Sequence, residues 1–132
     1  MILEPDKRNQ ALPLPVVLIS TISKNGIRNA APWSCVMPIL RPLDLVVIAS
    51  WLKRDTLDNI RQTGEFVINV QPVEVADEVM ICARNFPPEV DEFEMAGLTA
   101  RPPPGSSRLE SKAAWRGWNA GSKRKFCETN TP

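Results

Sequence analysis

The sequence predicts a mainly β fold, a small barrel with short helices at its mouth. That expectation rests on four short apolar runs of strand length, one short helical pattern between the third and fourth, and prolines that interrupt the runs.

Val16 to Ser23 is rich in β-branched residues and too short for a convincing helix, and Lys24-Asn25-Gly26 follows it as a hairpin signal. The chain resumes at Ile27, meets Pro32, and continues through Met37 to Pro38. A proline cannot donate to a ladder, so it marks a bulge or an edge. Leu43 to Ser50 reads as a strand buried on both faces, with Pro42 limiting its backward extension. A helix comes next, with Asp55 as the expected N-cap for Thr56 to Gln62, Leu57 and Ile60 facing inward, and Gly64 as a left-handed C-terminal cap. Glu65 to Val70 is the fourth strand. Pro72 opens a second helix running to about Cys82, in which Val75, Val79 and Cys82 share one side. Arg84 to Val90 is a polar loop, and Asp91 to Ala96 a short helical piece stopped by Gly97, with its acids read as solvated.

A chain of 132 residues supports one domain with a real core. Its net charge of +1 and 23 % charged residues argue against nucleic acid or an anionic membrane as the main partner. Met1 to Gln10 lacks a signal-peptide core and no apolar run is long enough to span a bilayer, so a cytoplasmic location is expected. Cys35, Cys82 and Cys127 are odd in number and widely spaced, which fits neither a disulfide framework nor a zinc site. Histidine and tyrosine are absent, which removes the usual general base, the commonest transition-metal ligand and a phenolic acid. No side chain stands out as catalytic, and any chemistry calls for a bound cofactor that the protein positions.

Four strings in order, Ile19-Ser20-Thr21, Asn29-Ala30-Ala31-Pro32-Trp33-Ser34, Arg54-Asp55-Thr56-Leu57-Asp58-Asn59-Ile60 and Phe66-Val67-Ile68-Asn69, resemble the flavin reductase-like family that includes the flavoredoxins. The resemblance implies an antiparallel Greek-key split barrel, the FMN-binding split barrel, over residues 1–103. It also implies FMN as cofactor, NAD(P)H as reductant and a homodimer with flavin near the subunit interface. Asn29, Ala30, Ala31, Pro32, Trp33 and Ser34 would line the flavin ring and ribityl chain, because alanines let the backbone approach a flat ring and Ser34 adds a hydroxyl. Ser50, Lys53, Arg54, Thr56 and Asn59 would form the phosphate site, where a helix N-terminus offers amides and a positive dipole end. Trp51 is the candidate aromatic flanking the flavin or the interface. An ordinary core tryptophan on a bulged strand, and a capped helix with solvated charges, are the plainer readings of the same residues.

The activity implied is hydride transfer from a nicotinamide nucleotide to flavin. The alternatives are a non-catalytic FMN electron carrier of flavoredoxin type, or a truncated product without activity. From Arg101 onward the composition shifts to prolines, glycines and unpatterned charge. Residues 104–132 are expected to be a non-homologous, disordered tail that leaves the barrel without its C-terminal strands. Read in another frame, codons for Trp115 to Phe126 can spell an alternating apolar and charged string, which points to a frameshift.

Overall fold

The computed structural model describes residues 13–40, 45–50, 53–101, 110–111 and 116–120. Strand β1 (Val17–Ile22) turns at residues 23–27 into β2 (Arg28–Trp33), and Gly26 takes φ 81° in that turn. β3 (Val36–Leu40) and β4 (Leu45–Ile48) pair as a separate antiparallel sheet, with a register slip between Pro38 and Leu40. The slip sits where proline has no amide to give, as the sequence leads one to expect. Pro32 likewise lies on β2, an outer strand of the main sheet.

Helix α1 (Asp55–Thr63) ends at Gly64, whose φ of 72° and amide bond to the Ile60 carbonyl (2.7 Å) make a left-handed cap. Its start corrects one expectation: Arg54, in extended conformation, is the N-cap, and Asp55 is the first helical residue. The amides of Leu57 and Asp58 both reach the Arg54 carbonyl, so the helix begins one residue earlier than a side-chain cap by Asp55 would require. After β5 (Phe66–Val70), a single 3-10 turn (Val73–Val75) leads into α2 (Ala76–Cys82), and α3 (Glu92–Met95) is capped by the Asp91 carboxylate on the Glu94 amide (3.2 Å).

The main sheet has the order β2-β1-β5-β8, all antiparallel, where β8 is Arg116–Ala120. β6 (Ala100–Arg101) and β7 (Glu110–Ser111) form a short third sheet, and the described strands do not close into a barrel. Two strands therefore fall within 104–132, where the sequence predicts none. β8 pairs along all of β5, from Phe66 opposite Ala120 to Val70 opposite Arg116. Such pairing joins backbone amides and carbonyls, which every sequence carries, and an open strand edge attracts an extended segment regardless of its side chains.

Because β1 is an inner strand, its alternate residues feed two apolar clusters. Leu18 packs with Ala30, Cys82, Phe93 and Ala96, while Ile19 packs with Trp33 and Ile68. Leu18 and Ile19 are fully buried, whereas Val16, just before β1, is 55 % exposed. The expectation that Leu43 to Ser50 is buried on both faces is also corrected. Val47 is 36 % exposed: among the described residues β4 pairs with β3 alone, and the side of the hairpin that carries Met37 and Val47 is open.

Replacing Gly64 by alanine places a Cβ on a left-handed residue and should lower stability by about 1 kcal/mol, measured by urea unfolding. An unchanged midpoint would contradict the cap geometry.

Candidate functional site

Asn29 on β2 lies at the centre of a buried polar network. Its Oδ1 accepts from the Thr21 hydroxyl (3.1 Å) and the Thr56 hydroxyl (2.9 Å), and its Nδ2 donates to Glu92 Oε2 (2.8 Å). Asn59 Nδ2 in turn donates to the Thr21 hydroxyl (3.0 Å). One side chain thereby fastens β1, α1 and α3 to β2. Glu92 Oε2 also accepts the Ala30 amide (2.7 Å), which a residue on an edge strand would otherwise leave without a sheet partner.

Beside this network opens a cavity of about 400 Å³. β2 and the turn after it contribute Asn29, Ala31, Pro32, Trp33, Ser34 and Cys35, and the end of β4 contributes Ala49 and Ser50. Across from them stand Arg54, Asp55 and Thr56 at the start of α1, Cys82 with residues 83–86 after α2, and Glu92. Arg54 donates to Asn85 Oδ1 (3.0 Å), tying the helix start to the loop that forms the opposite rim. Trp33 is 8 % exposed, and its indole Nε1 is buried without a hydrogen-bond partner among the described residues. A buried donor in that condition costs about 1–3 kcal/mol unless a ligand or water supplies an acceptor.

The sequence-predicted residues divide accordingly. Asn29, Ala31, Pro32, Trp33, Ser34, Ser50, Arg54 and Thr56 are brought together around one cavity. Ala30 turns its methyl into the Leu18 cluster and offers its amide to Glu92, and Asn59 belongs to the Thr21 network. Lys53 lies in a neighbouring cavity of about 720 Å³ and pairs with Asp58 at 3.4 Å. Trp51 lies outside the described residues. The Thr56 hydroxyl is already committed to Asn29, so its part in the wall is to hold that residue in place.

Sequence reasoning missed Glu92, read as a solvated acid, which is only 6 % exposed and lies in the wall of both cavities. Its position in the first turn of a short helix beside Asp91 and Glu94 gives no local signal of burial. Burial pushes its carboxyl up to about 7; the Ala30 amide pulls it down, and the charges of Asp55 and Asp91 raise it. Burial likewise pushes the Cys82 thiol up to about 12, with the Glu92 charge adding to it, so this sulfur is no nucleophile at neutral pH. Among the described residues no group of acids, cysteines or histidines is arranged to hold a metal, and no helix is long and apolar enough to cross a membrane.

The flavin reductase like domain model matches residues 9–115. An uncharacterised protein of Methanothermobacter thermautotrophicus is 58 % identical over 102 residues, covering 77 % of this chain and 48 % of that protein. The chain spans about half the length of the curated relatives it matches. Among solved structures, nitrilotriacetate monooxygenase component B from Bacillus cereus superposes with a TM-score of 0.78 at 22 % identity, covering 98 % of this chain and 72 % of that one. Flavoredoxin of Desulfovibrio vulgaris gives 0.74 at 17 % identity, covering 85 % and 61 %. These likenesses establish the split-barrel fold.

The folded chain keeps the Glu92 proton up to about pH 7, whereas the unfolded chain releases it near the ordinary carboxyl value of 4.5. Folded molecules hold the extra proton between those values, so stability falls as pH rises through that window and levels off above it. Glu92→Gln copies the protonated form and should remove up to about 3 kcal/mol of that fall. Urea unfolding of both proteins at several pH values checks this, and parallel stability profiles would contradict it.

Proposed function

Because this chain belongs to the flavin reductase-like family, we propose that it binds FMN in the cavity between β2 and the start of α1 and serves flavin-mediated electron transfer. The observation that carries this reading is the cavity itself, where the small residues Ala31, Pro32 and Ser34 after Asn29 face the start of α1 with its Arg54. Ala31, Pro32 and Ser34 leave room for a flat ring, and the Ser34 hydroxyl is a polar group beside it. The amides at the start of α1 and the exposed Arg54 guanidinium suit a phosphate. The cavity volume, about 400 Å³, is within the range of small-molecule sites. Bound FMN supplies the electron-accepting ring, while the chain's own residues hold and orient it.

Within this proposal NAD(P)H is the reductant and passes a hydride to the flavin. A non-catalytic carrier that exchanges electrons with protein partners is the second reading, and consumption of NAD(P)H upon addition of FMN separates the two. The homodimer belongs to the proposal as well. Met37 and Val47 stand directly opposite one another on β3 and β4 and are 57 % and 36 % exposed, an apolar face suited to a second copy. Light scattering should return a dimer, and a flavin-binding monomer would count against it.

Arg54→Ala should weaken FMN by about 1–2 kcal/mol and leave riboflavin nearly unchanged, as fluorescence-quenching titrations would measure. Thr56→Ala should weaken both alike, since it loosens Asn29 rather than removing a phosphate contact. Equal losses for the two ligands in Arg54→Ala would overturn the phosphate assignment.

A further inference from the structure

We propose that Glu92 is a positioning residue that couples occupancy of the β2–α1 cavity to the uptake of a proton. The proposal rests on the flavin reading for the identity of the occupant and deepens it.

One carboxyl oxygen of Glu92 holds the ligand-facing strand: Oε2 accepts both the Asn29 side-chain amide and the Ala30 backbone amide. The other, Oε1, has no hydrogen bond among the described residues. With the residue 6 % exposed and in the walls of both cavities, solvent reaches its charge by way of those cavities. No described cation forms an ion pair with it.

The charged and titratable surroundings come from every element packed around it. Arg28 on β2 is engaged by Asp91, the cap of Glu92's own helix. Asp55 stands at the start of α1, and Cys82 at the end of α2 is a neutral thiol at these pH values. In the first cavity Arg54 is held by Asn85, and Arg84 lies at the rim. In the second, Lys53 is held by Asp58, with Lys24 and Glu89 further along the wall. This environment leaves the carboxyl poised at about 7 in the free protein.

A ligand that fills the first cavity displaces the water solvating Glu92, and a phosphate at the start of α1 adds a like charge. Both changes favour the protonated carboxyl. Protonation and occupancy then favour each other by equal factors. Above pH 7 the apparent Kd rises by up to about tenfold per pH unit, until the occupied site also releases its proton.

Calorimetric titration of the wild-type chain with FMN at about pH 8, in two buffers of different ionisation enthalpy, reads the proton directly. The expected result is uptake of roughly half to one proton per ligand, with uptake of the same sign for riboflavin, which has no phosphate of its own to titrate. Glu92→Gln should bind with no uptake and an affinity flat across this pH range. Asp55→Asn, which removes a like charge, should move the midpoint to lower pH and supplies a second variant should Glu92→Gln fail to fold. Binding without proton uptake in the wild type, or uptake that persists in Glu92→Gln, would overturn the proposal and leave the flavin reading standing. Absence of FMN binding at any pH would overturn both.

Discussion

Asn29 carries two donor hydrogens and two acceptor lone pairs into the interior, where an unmade hydrogen bond costs about 1–3 kcal/mol. Both lone pairs are filled by hydroxyls, Thr21 from β1 and Thr56 from α1, and a donor reaches Glu92 on α3. The chain must therefore bring three elements to one side chain before that residue can be buried. Once Asn29 is held, the strand that leaves it sets residues 31–34 along one wall of the cavity, and Thr56 sets the helix start that faces them. Weak local preferences place each element roughly, and this shared residue places them relative to one another.

Asp91 and Glu92 are neighbours in sequence with opposite fates. Asp91 caps α3 and takes the Arg28 guanidinium, which also lies 5.6 Å from the centre of the Phe93 ring. That acid is 22 % exposed and has its cation supplied. Glu92 lies in the region enclosed by β2, α1 and α2, where the charges of Asp55 and Asp91 act on it and no described cation pairs with it. A single step along a short helix thus separates a structural ion pair from a group whose charge is sensitive to what fills the space beside it.

Most of the fold was legible because its signals are local. Lys24-Asn25-Gly26 marks a turn, Pro38 marks a slip in register, Gly64 needs a left-handed conformation, and each needs only its immediate neighbours to do so. The resemblance to a known family also groups Asn29, Ala31 to Ser34, Ser50, Arg54 and Thr56, which line one cavity, whatever occupies it. The burial of Glu92 was not legible, because it depends on contacts between residues 62 or 63 positions apart. Nor was the engagement of the Thr56 and Asn59 side chains with Asn29 and Thr21, since a hydroxyl or amide at a helix start reads the same whether it meets a ligand or a neighbouring strand. β8 was missed for the opposite reason: its pairing draws on the backbone, to which side-chain patterns are blind.

The described wall of the cavity closes between Asn29 and Glu92. Among the described residues after Gly97 none lines that cavity, and β8 joins the fold along the outer edge of β5. The constraints of recognition and those of completing the sheet thus fall on different stretches of the chain. A substitution in β8 therefore alters the edge of the sheet without altering a side chain that lines the cavity.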